Sequence, residues 1–199
     1  MPLARVFNGE RVVTTIYDMY LDRLSRWSDI QEYMPFLHET AGSYQNVRVL
    51  ELGARRGNST VAFLAAAQAV NGSVTSVDID RVTDYSQMRP LVGCPYWTFI
   101  PGSDLEEAVQ AVLPVEVDVL FVDTSHEYDH TVRELELYMP RVAPGGIALF
   151  HDTNSLGWGG NPPQDDYPEV RQALDRWCSR NNRTWQNIEG TYGLGVIRA

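Results

Sequence analysis

V49-L-E-L-G-A-R-R-G-N-S-T60 is the stretch on which the fold turns. An apolar run meets a carboxylate at Glu51, two glycines follow four apart at Gly53 and Gly57, and Asn58, Ser59 and Thr60 then open a helix-forming segment. An apolar strand, a glycine turn and a helix in immediate succession are the first unit of a parallel α/β sheet.

Outward from this turn the pattern repeats. Short β-branched runs at 48–53, 73–79, 96–102, 117–123 and 146–152 read as strands. Helix-period segments lie between them: NSTVAFLAAAQAV, a short piece near DYSQMRPL, SDLEEAVQAVL and YDHTVRELELYMPRV, the last stopped by Pro-Gly-Gly. TNSLGWGGNPPQDDYP is too long for an ordinary strand-to-helix connection and reads as a functional loop. A helix at PEVRQALDRWCSR and two closing strands joined by a tight glycine turn complete the chain. Before residue 48 the helical period continues, with Pro35 as the point at which the helix must kink or divide.

The predicted architecture is a single α/β domain over 1–199: a mostly parallel seven-stranded sheet with helices on both faces, residues 1–47 forming an N-terminal helical extension and 48–199 the binding and catalytic core. The 199 residues suit one hydrophobic core. A formal charge of -10 disfavours a protein that tracks nucleic-acid phosphates. No apolar run is long enough to span a bilayer and the start lacks a signal-peptide pattern, so a cytoplasmic protein with no membrane partner is expected. Cys94 and Cys178 read as small apolar residues.

In an open parallel sheet, ligands bind beyond the carboxyl ends of the strands where strand order reverses. The turn at Gly53 lacks the middle glycine of the dinucleotide fingerprint, and Glu51 would repel a pyrophosphate. S-adenosylmethionine, with a nucleoside, an α-amino group and a sulfonium but no phosphate, meets both conditions.

Here the chain resembles the class I S-adenosylmethionine-dependent methyltransferases, whose first motif is E/D-x-G-x-x-x-G. The resemblance implies cofactor binding by Glu51, Gly53, Ala54, Gly57, Asn58 and Ser59 in the turn. It implies an acidic residue ending the second strand for the ribose, Asp78, and a polar pair after the third strand for the adenine, Ser103 and Asp104. Asp80 reads as a surface residue, and Asp104 has the competing reading of a helix cap.

FVDTSHEYDHTVRELELYMPRVAPGGIALFHDT looks like the small-molecule O-methyltransferase branch that includes macrolide-sugar and cephalosporin-cluster methyltransferases, with D-x-x-H after strand four and an acid after strand five. That likeness implies a small-molecule hydroxyl acceptor, such as a sugar, natural product or catechol. Asp123, His126 and Asp152 are the candidate catalytic residues, with His126 as general base and Asp123 also touching the cofactor. Asp123 and Asp152 also form a candidate Mg²⁺ pair. Catechol-type relatives place Asp-Asn after strand five and macrolide-sugar relatives Glu-Asp, whereas this chain has His151, Asp152, Thr153 and Asn154.

Ordinary readings stand beside these. Asp123 has that of a helix cap. His151 should face away from Asp152 if strand pleating persists, and His38 and His130 read as structural or solvated. Trp158 is a candidate pocket residue, and Asn161-Pro162-Pro163 lacks the aromatic of the nucleobase amino-methyltransferase motif. Two alternatives remain open, a nicotinamide-dependent oxidoreductase and a non-catalytic S-adenosylmethionine-binding protein. A homo-oligomer is compatible with the sequence.

Overall fold

The computed structural model describes residues 15–155 and 167–199. Trp158 and Asn161–Pro163 lie outside the described residues, as do the first fourteen.

The chain builds one seven-stranded sheet in the order β3-β2-β1-β4-β5-β7-β6. Its strands are β1 (Arg48–Leu52), β2 (Ser73–Asp78), β3 (Trp97–Pro101), β4 (Val117–Val122), β5 (Val142–His151), β6 (Trp185–Ile188) and β7 (Leu194–Arg198). β1 to β5 pair in parallel, and β7 runs antiparallel to both β5 and β6. Strand order reverses between β1 and β4, so their carboxyl ends diverge to opposite connections and leave a crevice.

Alternate residues of the buried strands point to two separate cores. Val49, Phe121 and Leu149 face a layer made by α1 (Ile16–Leu24), α2 (Met34–Gly42) and α3 (Asn58–Ala69). Leu50, Leu120 and Phe150 face α5 (Tyr128–Tyr138) and α6 (Glu169–Arg180), beyond the one-turn α4 (Glu107–Gln110). α3 is apolar all round because it lies between the sheet and the two N-terminal helices, and its alanines let them approach closely. Among the described residues no helix is long and apolar enough to cross a membrane.

Several boundaries differ from the sequence expectation. Pro35 does not break a helix: it sits in the first turn of α2, where a missing N–H leaves no bond unmade, and the division falls earlier, between Leu24 and the 3₁₀ turn Gln31–Tyr33. The helix expected from SDLEEAVQAVL shrinks to α4, and the segment near DYSQMRPL holds only 3₁₀ turns. Pro144-Gly145-Gly146 does not end a helix but forms an irregularity inside β5, where the pairing with β4 shifts register and Gly145 takes φ +80°. The β6–β7 connection spans residues 189–193 and is longer than a tight turn. It binds the N-terminal layer: Gly193 N–H donates to Tyr33 Oη at 2.8 Å and Thr191 N–H to Glu32 Oε1 at 2.8 Å.

Candidate active site at the strand-order switch

The β1–α3 turn is held by protein contacts on every side. Asp78, at the end of β2, accepts N–H bonds from Ala54 (2.8 Å) and Arg55 (2.6 Å) through one carboxylate oxygen and from Asp80 (2.8 Å) through the other. Gly53 has φ +86°, and a Cβ there would stand 1.9 Å from the Asp123 carbonyl oxygen. Gly57, with φ +76°, lies against the Met88 sulfur, so its missing side chain answers to packing against Met88. Asn58 accepts from Arg23 at 2.8 Å, and Ser59 and Thr60 turn inward beneath the helix start.

Glu51 is fully buried. Its Oε2 accepts from the hydroxyls of Thr60 (2.8 Å) and Ser76, while Oε1 has no hydrogen-bond partner among the described residues. Burial pushes its carboxyl up to about 7, against the lowering pull of the Ser76, Ser59 and Thr60 hydroxyls. It sits outside the walls of the three cavities that flank the turn.

One of those cavities, of about 300 Å³, opens at the ends of β1, β2, β3 and β4. Gly53, Asp78, Ser103, Asp104 and Asp123 all line it, so residues 70 positions apart in sequence meet on one wall. Asp104 is not a helix cap. Its carboxylate faces His130 Nε2 at 3.2 Å, which places His130, read from sequence as structural or solvated, in the cavity wall. Asp80 is exposed and accepts from Tyr85 Oη at 2.6 Å. Among the described residues the lining of this cavity carries four carboxylates, Asp78, Asp80, Asp104 and Asp123, against Arg55 and His130, an excess of negative charge that suits a cationic nucleoside and opposes a pyrophosphate.

Parallel pairing of β4 with β5 aligns Val122 with Phe150, so Asp123 and His151 emerge side by side. Asp123 Oδ1 is 3.0 Å from His126 Nε2 and 3.2 Å from His151 Nδ1. Asp152 Oδ2 is 3.1 Å from His126 Nε2 and 2.9 Å from His151 Nδ1. The expectation that His151 faces away from Asp152 is corrected. Asp152 has φ +65°, the pleat ends at His151, and both side chains enter one cluster. His126 also has a positive φ of +61°, a conformation that costs a non-glycine residue of order 1 kcal/mol and persists where surrounding contacts hold it. Asp123 is no helix cap either, since α5 has Glu127 at its N-cap without a side-chain bond.

Burial alone would raise the Asp123 carboxyl, but the His151 charge and the hydrogen bonds from both imidazoles hold it well below the usual carboxylate range. Burial would lower His126, and Asp123 and Asp152 outweigh it, leaving it raised. The same carboxylates outweigh burial at His151 and lift it to about 10, which favours its charged form at neutral pH. Asp123, His151 and Asp152 bring one ligand atom each within 4.8 Å of one another, and Asp152 Oδ1 is buried without a hydrogen-bond partner among the described residues. Thr153 turns away, its hydroxyl donating to Asn187 Oδ1 at 2.5 Å.

Residues 50–153 match a family described as a methyltransferase domain. The O-methyltransferase of Bacillus cereus, solved with S-adenosylhomocysteine, superposes with a TM-score of 0.70 at 12% identity, covering 92% of this chain and 90% of that one. The Streptomyces achromogenes O-methyltransferase of tomaymycin synthesis, solved with S-adenosylmethionine, gives 0.68 at 15% identity, covering 91% and 89%. A curated protein of Acanthamoeba polyphaga mimivirus is 30% identical over 64 residues, which is 32% of this chain and a quarter of that protein's length. The chain belongs to the methyltransferase domain family, and its fold is that of the class I, S-adenosylmethionine-dependent methyltransferases.

Proposed function

We propose that this protein transfers a methyl group from S-adenosylmethionine to a hydroxyl oxygen of a small molecule. The observation that carries this reading is the Asp123–His126–Asp152–His151 cluster. It joins a base-capable imidazole to a carboxylate that also lines the nucleoside-sized cavity. The two O-methyltransferase neighbours support oxygen as the acceptor atom.

Asp78 and the Ser103–Asp104 pair would hold the ribose and adenine, with Gly53 and Ala54 beneath the rest of the donor. The sulfonium supplies an electrophilic methyl carbon. The chain's task is to aim the acceptor oxygen along the line of displacement and remove its proton. His126, with a side chain 19% exposed, is the group that takes the proton. Asp123 and Asp152 stabilise the resulting imidazolium, and protonated His151 keeps the two carboxylates together.

A divalent cation would be held by Asp123 and Asp152, with His151 as the nitrogen ligand, and would lower the pKa of a bound hydroxyl. Carboxylates suit Mg²⁺, while an imidazole in the set shifts preference toward later transition metals. Protons on His126 and His151 compete with any such ion, because they neutralise the same oxygens.

His126→Ala tests the reading. S-adenosylhomocysteine should bind with unchanged affinity while kcat falls about 10² to 10⁴-fold. Full activity in that variant would remove the imidazole from the mechanism.

A further inference from the structure

A cavity of about 640 Å³ lies apart from the one at Asp78. It lies between the second half of α1 with the residues after it, the start of α3, and the 3₁₀ turn Arg89–Leu91. A smaller cavity of about 140 Å³ adjoins it through the shared residues Trp27, Ser28, Arg56 and Asn58, and runs past Ala54 and Ser59 to Asp123. The two cavities thus share part of their lining, and Asp123 of the Asp123–His126–Asp152 cluster lines the smaller one.

Its charge is opposite to that of the chain. Among the described residues, Arg23, Arg26, Arg56 and Arg89 line it against a single carboxylate, Asp22, in a protein of net charge -10. Asp22 is taken by Arg26 at 2.8 Å. Arg23 donates to three neutral oxygens, the carbonyls of Arg56 (2.7 Å) and Gln87 (2.8 Å) and Asn58 Oδ1 (2.8 Å), and forms no ion pair with a described residue. Among the described residues, Arg89 reaches only the Thr83 carbonyl, at 3.4 Å, and the Arg56 guanidinium has no hydrogen bond or ion pair. Arg23, Arg56 and Arg89, none of them ion-paired with a described residue, repel one another across the cavity, a cost that a bound anion lowers. The chain has no lysine, and the planar fork of arginine matches carboxylate and phosphate oxygens in pairs. Trp27, 81% exposed at the junction of the two cavities, offers a flat apolar face.

We propose that the acceptor is an oxyanion-bearing molecule. Its carboxylate or phosphate is held by Arg56 and Arg89, its planar body lies against Trp27, and its hydroxyl reaches Asp123 and His126 along the smaller cavity. This rests on the hydroxyl-methylation reading and adds the acceptor's charge to it.

Calorimetry on the full chain with saturating S-adenosylhomocysteine tests the site, using phenyl phosphate and benzoate as probes and phenol as the neutral control. At least one anionic probe should bind at least tenfold more tightly than phenol, and the stronger of the two identifies phosphate or carboxylate as the natural group. Arg56→Gln combined with Arg89→Gln should remove that advantage while S-adenosylhomocysteine affinity is retained. Equal binding of phenol and both anions, or an advantage that survives the double variant, overturns the proposal. Methyl transfer to catechol and 3,4-dihydroxybenzoate separates the two readings. Equal rates on both refute the anionic acceptor and leave hydroxyl methylation standing. If neither is methylated while phenyl phosphate binds through the arginines, the hydroxyl reading fails and the anion site stands.

Discussion

Gly53→Ala should damage stability and catalysis together. A left-handed φ of +86° costs an L-residue about 1–2 kcal/mol. The added Cβ would stand 1.9 Å from the Asp123 carbonyl oxygen and 2.6 Å from its carbon, about 1.5 Å short of ordinary 3.4 Å contact. Backbone atoms cannot rotate aside, so the ends of β1 and β4 must part. The 2.8 Å bond from Asp123 N–H to the Leu52 carbonyl spans that gap, and leaving such buried groups unpaired costs about 1–3 kcal/mol. The two terms give about 2–5 kcal/mol, a large share of the roughly 5–15 kcal/mol that holds a domain folded. The folded fraction would carry Asp123 displaced by of order 1 Å, worth about 10²-fold in rate. Urea denaturation gives the stability, and turnover corrected for folded fraction gives the rate. Gly57→Ala is the control: its Cβ meets the side chain of Met88, so its cost should be smaller in a Met88→Ala background than in the wild type. Wild-type stability and activity in Gly53→Ala would refute this account of the turn.

Asp78→Ala should weaken S-adenosylmethionine at least tenfold by calorimetry, and also loosen the β1–α3 turn, since it removes the acceptor of three backbone N–H groups. Unchanged affinity would exclude Asp78 from the nucleoside site. Glu51 has a folded-state pKa raised to about 7, so its contribution to stability is fully present below about 4.5 and lost as pH rises through 7. Glu51→Gln should therefore flatten the pH dependence of unfolding in that window, with donor affinity unaltered, and a steep slope surviving in the variant would contradict it. Because His126 is raised, kcat/KM in metal-free protein should climb with pH through a pKa above 6.5, and a flat profile argues for a different base. If Asp123, His151 and Asp152 hold a divalent ion, EDTA should abolish activity, a divalent salt should restore it, and ion uptake should release protons. Full rates in excess EDTA would end the metal role.

Local rules made the sheet readable. β-branched runs, glycine turns and strand-end carboxylates act over a few residues, and parallel pairing carries such ends to one rim. Asp78, Ser103, Asp104 and Asp123 could therefore be placed before any coordinates were known, and they line one cavity. Asp123, His126 and Asp152 were legible for the same reason, each within four residues of a strand end. Helix lengths were less so, because α4 forms one turn whatever the propensity of SDLEEAVQAVL allows.

Tertiary structure decided what depends on register, direction and distant segments. His151 joins the Asp123–His126–Asp152 cluster only because the chain leaves the pleat at Asp152 and because β4 and β5 pair without offset at their ends. Glu51, exposed to a ligand in a linear reading, is enclosed because the start of α3 folds its hydroxyls over the strand. Gly57 serves Met88, 31 residues away. The arginine cavity left no sequence signal at all. Arg23 lies on α1, Arg56 in the β1–α3 turn and Arg89 in a 3₁₀ turn, and only the packing of these segments gathers three ordinary charges onto one cavity. Periodicity and turn chemistry are encoded residue by residue. Charge convergence belongs to the assembled fold, since Coulomb energy depends on distances that the chain acquires only when packed.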